Sequence, residues 1–191
     1  NVIIGTYAVE ATGTHNLTNS VFIGYQAGSN THAGSTTGNI GIGLQSLNGL
    51  MNNANYNVAL GYVALSAVTT GDTNIGIGVG AGQSITTGGN NTIVGSEAGD
   101  TMTGTSNTVI IGYQAGDAIN STDADGTVAI GFNAGSAITS GIGNIAIGYQ
   151  ALDAEDDGDF NTAVGYQALS AQTGTSGTVG NSAVGYQVGL D

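Results

Sequence analysis

Two acidic segments carry the side chains in this sequence that are best suited to bind a metal ion. Segments 121–126 and 153–158 both place oxygen-bearing side chains at their first, third and fifth positions and glycine at the sixth. The side chains are those of Ser121, Asp123 and Asp125 in the first segment, and of Asp153, Glu155 and Asp157, with Asp159 beyond the glycine, in the second. This spacing is that of the first half of an EF-hand calcium loop, although Phe132 and Val164 stand where the bidentate glutamate would be. The pattern predicts one or two weak calcium sites that stiffen the loops, with a solvated acidic loop as the alternative.

The composition offers few side chains that could catalyse a reaction. The chain has no Cys, Lys or Arg, and its two histidines, His15 and His32, stand in polar segments without a partner acid nearby. No candidate serine has a general base close to it in the sequence. We therefore expect no enzymatic activity, and we expect both histidines at the surface rather than in a metal site.

The charge of the chain limits its partners. Thirteen acidic residues against no Lys or Arg give a formal net charge of −13. Nucleic acid is excluded as a partner because the chain has no cations to neutralise phosphates, and an anionic membrane surface is excluded for the same reason. No apolar run approaches the roughly 20 residues of a membrane span. The charge indicates either simple solubility or an extracellular surface that recruits divalent cations.

A repeat that runs through the whole chain determines the secondary-structure elements that position the acidic segments. It is clearest at residues 144–152 and 161–169, which share the pattern Asn-x-Ala-x-Gly-Tyr-Gln-Ala-Leu. Its central glycine, here called the anchor glycine, recurs eleven times at spacings of 17 to 20 residues: Gly5, Gly24, Gly43, Gly61, Gly78, Gly95, Gly112, Gly131, Gly148, Gly165 and Gly185. A short period sustained over a whole chain is typical of a solenoid. We predict an all-β parallel β-solenoid (β-roll) of about eleven coils without helices. We expect one domain over residues 1–191, as a segment of a longer fibre or an end-to-end stacking unit.

The residues around each anchor glycine alternate as in a strand. The residue before the glycine is a branched aliphatic in all eleven copies, the residue two positions earlier is mostly Val or Ile, and the residue after the glycine is most often Tyr. We predict that these three positions face the core, so that Ile111→Asp or Ile130→Asp would cost several kcal/mol and Tyr113, Tyr149 and Tyr166 would stack. The opposite face then carries a strip of small residues, which we interpret as an interface: Gly41, Ala59, Gly76, Ala129, Ala146, Ala163 and Ala183.

The rest of each coil is predicted as a tight turn, a short second strand and a corner. Ala-Gly or Ala-Leu follows the first strand, and Thr-Gly or Ser-Gly ends many coils. Glycine supplies the backbone angles that corners require. An asparagine opens most strands, as at Asn57, Asn74 and Asn161, and we expect these amides to bond to backbone and to form ladders from coil to coil.

The pattern at residues 161–169 resembles two related groups of repeats, the Gly-Tyr-Gln-Ala-Leu arrays of bacteriophage tail-fibre proteins and the head repeats of trimeric autotransporter adhesins. The Val-Ala-Ile-Gly core of the second group is matched by residues 128–131 and, with Ile for Val, by residues 145–148. The resemblance covers the whole chain. It implies a parallel β-roll, often a homotrimer, on a virion or cell surface, that builds a shaft or adheres.

These observations favour a structural or adhesive fibre segment, extracellular or on a cell or virion surface. We expect it to self-associate through the Ala/Gly strip or its open ends, as a trimer or an end-to-end filament, with calcium as the one cofactor that the sequence suggests. The alternative is a ligand-binding β-solenoid, either a calcium-dependent binder of a surface glycan or, with less support, an ice binder. An ice binder needs a regular rank of Thr on one flat face, whereas the Thr residues here cluster at corners.

Overall fold

The computed structural model describes residues 1–10, 15–30, 34–173, 177–178 and 180–189. The chain winds into a parallel β-solenoid in which each coil contributes one three-residue strand to a single sheet of eleven strands. Two further sheets contain two short strands each. The strands are β1 Val2–Ile4, β2 Leu17–Thr18, β3 Val21–Ile23, β4 Thr36–Thr37, β5 Ile40–Ile42, β6 Val58–Leu60, β7 Ile75–Ile77, β8 Thr92–Val94, β9 Val109–Ile111, β10 Val128–Ile130, β11 Ile145–Ile147, β12 Gly158–Asp159, β13 Thr162–Val164, β14 Gly177–Thr178 and β15 Ser182–Val184.

The strands of the large sheet pair in sequence order and in a register that aligns equivalent repeat positions. Val128, Ala129 and Ile130 of β10 lie opposite Ile145, Ala146 and Ile147 of β11, and every other pair follows the same rule. The predicted parallel β-solenoid is confirmed. The described residues contain no α-helix, and their one helical element is a single 3-10 turn, η1, at Thr122–Ala124.

The predicted faces of the strands are wrong. The middle residue of the strand points into the coil, so that Ala59, Ala129 and Ala146 are fully buried. The two flanking aliphatics, such as Ile145 and Ile147, point outward and are only half-buried. The Ala/Gly strip therefore lines the core and cannot be an interface. An aspartate in place of Ile111 or Ile130 would point outward. The predicted loss of several kcal/mol in the free energy of unfolding is therefore not expected for a single chain.

The narrow cross-section of each coil explains this arrangement. The small strand residue faces apolar side chains from the opposite wall, which are also fully buried: Leu65, Val68, Ile85, Met102, Ile119, Ile138 and Leu152. Glycine makes room for two of the large side chains, Phe22 and Leu65. A Cβ at Gly41 would touch the Phe22 ring, and a Cβ at Gly76 would overlap Leu65. Close packing of this kind favours small residues at most inner positions of the sheet, although Phe22, Ile93 and Ile110 are also buried there.

The second half of the coil differs from the prediction. Among the described residues, a second strand forms only in the pairs β2–β4 and β12–β14. In the coils between them the backbone N–H groups of Thr69, Thr70 and Gly71 all donate to the carbonyl oxygen of Thr86, at 2.9 to 3.2 Å. Three N–H groups that converge on one carbonyl oxygen all have a hydrogen-bond partner, but they do not form the evenly spaced bonds of a parallel β-ladder. These coils therefore have a corner where a second strand was predicted.

Two columns of equivalent residues run from coil to coil, one of anchor glycines and one of asparagines. All eleven anchor glycines have φ between +134° and +143°, a region open essentially to glycine alone. Asparagines that precede the inner strands, among them Asn57, Asn74 and Asn91, are buried and confirm the predicted ladder. Asn57 Oδ1 accepts the backbone N–H of Asn74 at 2.9 Å, and Asn74 Oδ1 accepts that of Asn91 at 3.2 Å.

Candidate functional site

The outer face of the large sheet is the most extensive candidate interaction surface. We define this outer face by the first and third residues of each three-residue strand together with the residue after each anchor glycine. None of these positions carries a charged side chain, and all are apolar except Thr6, Thr92, Ser96, Thr162 and Ser182. Ile42, Ile75 and Ile77 are exposed, and the other aliphatics of β3 to β13 are half-buried. Contiguous exposed apolar patches of this extent mark interaction sites.

A ladder of aromatic rings runs along one margin of the outer face. Tyr113, Phe132, Tyr149, Tyr166 and Tyr186 stack in consecutive coils with ring centroids 5.0 to 5.5 Å apart and planes 6° to 20° apart. The predicted stacking is confirmed, but these rings lie outside the core. The first four members of the ladder are 41% to 43% exposed, and the last, Tyr186, is 70% exposed. In the earlier coils Leu44, Val79 and Ser96 interrupt the column.

A row of amides runs beside the aromatic ladder. Gln167 Nε2 donates to Gln150 Oε1 at 3.0 Å, and Gln187 Nε2 donates to Gln167 Oε1 at 2.8 Å. Gln114 Nε2 donates to the carboxylate of Glu97 at 2.9 Å. The row holds the turn residues, which have positive φ, and fixes the direction of the side chains at this edge of the sheet.

The second acidic segment brings together a set of carboxylates different from the predicted one. One carboxylate oxygen from each of Glu155, Asp156 and Asp157 lies within 4.8 Å of the other two. Asp153 and Asp159 do not belong to this group, and Asp159 instead accepts the backbone N–H of Ile142 at 2.9 Å. Oxygen atoms that share one calcium ion at 2.3–2.6 Å are at most about 5 Å apart. The group therefore has the donor type and spacing that a hard divalent cation requires.

Glu155 occupies an unusual position in this group. It stands seven residues after Gly148, where earlier coils carry Val68, Ile85 or Ile138 in the core. Its side chain is fully buried and accepts the backbone N–H of Gly158 and Nε2 of Gln172, both at 2.8 Å. The spacing from Gly148 to Gly165 is the 17 residues of a regular coil, and this signal in the sequence places Glu155 in the core column rather than in a loop.

Carboxylates in the later coils are held in environments that favour the protonated form. Burial, and then the negative charges of Asp156 and Glu155, raise the pKa of Asp157. Burial raises the pKa of Asp153, and burial with the charges of Asp100 and Glu97 raises that of Asp117. The folded chain thus binds these protons more tightly than the unfolded chain does. The resulting stability is lost as the pH rises from the ordinary carboxyl pKa through the raised one.

The first acidic segment does not form a comparable group. Ser121 caps η1 by accepting the backbone N–H of Asp123 at 3.1 Å, and Asp125 accepts the backbone N–H of Ser106 at 2.7 Å. The side chain of Asp123 is exposed. These oxygens organise the two extra residues of this coil. His15 is exposed as expected, whereas His32 lies outside the described residues.

Threonine hydroxyls on the corners are engaged between coils. Thr69 Oγ1 donates to Thr86 O at 3.0 Å, Thr86 Oγ1 to Thr103 O at 3.2 Å, and Thr139 Oγ1 to Asp156 O at 3.0 Å. These hydroxyl protons are therefore used in hydrogen bonds to backbone carbonyl oxygens of the next coil. This is unlike the open rank of Thr that an ice-binding face would present.

No protein-family model, curated protein or solved structure matches this chain. Within the described ranges, none of the chain is a helix of the length and apolarity needed to cross a membrane.

Proposed function

We propose that the chain is a structural fibre segment whose copies assemble side by side through the outer face. The observation that supports this proposal is the absence of charge from a long exposed apolar surface in a chain of net charge −13. A solitary soluble solenoid would be expected to place charged residues on such a face. Fibre segments of this kind act outside the cell or on a cell or virion surface, and we extend the proposal to that location.

The dimensions of the outer face suit a stable interface. Ten steps of about 4.8 Å make the sheet about 50 Å long, and a width of about 15 Å gives roughly 750 Å² per copy. A standard protein–protein interface buries about 800 Å² per partner. Burying this area removes aliphatic and aromatic side chains from water, the main favourable term in association.

The negative charge of the chain opposes assembly only weakly in this geometry. The acidic residues of the later coils, including Asp117, Asp123 and Asp157, all lie outside the outer face. Copies joined through the outer face bring no carboxylate of that face against a neighbour, and salt screens the repulsion between the remaining carboxylates over a Debye length, about 8 Å at physiological salt. We therefore expect association to strengthen as ionic strength increases.

Sedimentation of two matched variants tests this proposal. Ile77→Asp places a charge in the middle of the outer face, and Thr87→Asp places the same charge on an exposed corner of the same coil. We expect the parent and Thr87→Asp to sediment as one oligomer and Ile77→Asp as a monomer with an unchanged β-type circular dichroism spectrum. A parent that is strictly monomeric at all salt concentrations would contradict the fibre proposal and leave a solitary binding module.

A glycan-binding module is the second candidate function. The exposure of Tyr113, Tyr149 and Tyr166 supports it, because sugars commonly pack on exposed aromatic side chains. The mutual stacking of these rings opposes it, since the inner rings of the ladder already use both faces. The monomeric outcome of the sedimentation experiment would favour this candidate.

We also propose that calcium binds at Glu155, Asp156 and Asp157 and stabilises the later coils. Their convergence and the lack of a hydrogen-bond partner for the shielded Asp157 Oδ1 support this assignment. At a free calcium concentration ten times the Kd, binding would add about 1.4 kcal/mol to the free energy of unfolding. We expect the thermal midpoint of the parent to rise with calcium at constant ionic strength.

Two controls accompany the calcium measurement. Asp157→Asn should abolish the rise, whereas Asp123→Asn in the first acidic segment should leave it unchanged. Magnesium should have a smaller effect, because it requires near-ideal octahedral geometry and shorter bonds. An unchanged midpoint in the parent, or an equal rise in Asp157→Asn, would exclude this site.

A further inference from the structure

A channel runs along the margin of the outer face in the later coils. One wall is the aromatic ladder from Tyr113 to Tyr186, and the other is the column of aliphatics from Ile111 to Val184. The anchor glycines lie between the walls. A Cβ on Gly131 would point along the stack onto the carbonyl of Gly148, and glycine itself has no side chain. No side chain therefore rises between the two walls, and the channel floor is backbone.

The walls of this channel are uniform only in its later half. From Tyr113 onward every coil contributes a ring to one wall, whereas Leu44, Val79 and Ser96 break that wall in the earlier coils. The aliphatic wall is continuous throughout. A ligand that gains the same contact at each coil would thus bind at coils seven to eleven in preference to the earlier coils. Contact that accumulates coil by coil favours a ligand elongated along the solenoid axis.

The shape of the channel favours a flat, elongated ligand. Its walls are the residues on either side of each anchor glycine, which has no side chain to separate them. A planar aromatic system can lie along the channel and contact both walls over its whole length, whereas a globular molecule would contact only one or two coils. A rod about 15 Å long would span three to four coils at about 4.8 Å per coil.

The charge of the chain selects a cation. Asp117, Asp153 and the group Glu155–Asp157 belong to the same coils as the aromatic ladder, and the chain has no Lys or Arg to offset them. An anionic ligand of the same shape would be repelled.

We propose that this channel binds elongated, flat aromatic cations that lie parallel to the solenoid axis. The site is independent of fibre assembly, but it shares the outer face with it, so that ligand and neighbouring copies compete. Binding is therefore measured on protein shown by sedimentation to be monomeric, either Ile77→Asp or the parent after dilution.

Thioflavin T, a flat benzothiazole cation of suitable length, is the probe. Its affinity is measured by fluorescence and by equilibrium dialysis. We expect saturable binding that weakens as salt increases, and an uncharged benzothiazole analogue should bind more weakly. Tyr149→Ala interrupts the ladder at its centre and should weaken binding by about tenfold. Tyr62→Ala removes an exposed ring that stands between Leu44 and Val79, and it should change the affinity by less than about twofold.

The fold of each variant is checked by circular dichroism, and Tyr149→Leu replaces Tyr149→Ala if the latter does not fold. Absence of thioflavin T binding to the monomeric protein would overturn the proposal. Equal affinity in the parent and in the Tyr149 variant, or an equal loss in Tyr62→Ala, would overturn it as well, because either result would show that the ladder is not the site.

Discussion

Gly131→Ala should lower the free energy of unfolding by about 4–6 kcal/mol, or prevent folding altogether. Two effects add at this position. The backbone φ of +136° is strained for any residue with a Cβ, and the new methyl group would overlap the carbonyl oxygen of Gly148 in the next coil. That oxygen belongs to the backbone, so the clash is relieved only if two coils move apart. Chemical denaturation followed by circular dichroism measures the loss.

The same substitution at Gly80 provides the control. Gly80 has φ +67°, and the nearest atom to an added Cβ is 3.6 Å away in the flexible side chain of Gln83. Gly80→Ala should therefore cost only about 1–2 kcal/mol, the strain of one left-handed residue. Similar losses in the two variants would show that the anchor glycines are not required by contact between coils.

Asn74→Ala should cost about 3–5 kcal/mol, because it leaves several buried polar groups without partners. Asn74 Nδ2 donates to Gly88 O at 2.9 Å, and Asn74 Oδ1 accepts both the backbone N–H and the side-chain Nδ2 of Asn91, at 3.2 and 3.0 Å. Asn74 is fully buried, so water cannot replace these bonds without entering the coil. Equilibrium unfolding in urea gives the change.

Asn120→Ala is the matched control, since Asn120 is exposed. We expect it to change the free energy of unfolding by no more than about 0.5 kcal/mol. If Asn74→Ala were equally mild, the asparagine ladder would be a result of the fold rather than a cause of its stability.

The repeat made the fold predictable, but it did not determine which side of each strand faces inward. Both sides of a strand such as Ile145–Ile147 are free of charge, so alternation alone leaves the choice open. The prediction places large aliphatics in the core because such side chains usually lie there. The outcome depends on the space inside a coil of about 17 residues, where Leu152 and Ile138 from the opposite wall already fill the interior. Small residues, Ala or Gly, therefore occupy most of the inner positions of the sheet. The large buried residues at these positions are Phe22, Ile93 and Ile110.

The acidic segments show a similar limit. A local motif suggested Asp153, Glu155 and Asp157 as ligands, but the coil period places Glu155 in the core column and leaves Asp153 apart from the other two. Asp156 joins the group because consecutive residues at this corner turn toward one another, which no alternating pattern predicts. The period of the repeat is a better guide to side-chain position here than the motif is.

The register of the large sheet gives this architecture an adjustable length. Each anchor glycine and each ladder asparagine contacts the equivalent position of the next coil, so a duplicated coil meets the same surfaces above and below as the original did. Gain or loss of a whole repeat in the gene would lengthen or shorten the rod by about 4.8 Å without altering any contact type. Such a molecule can serve as a ruler, with its span set by copy number through unequal recombination rather than by new side-chain packing.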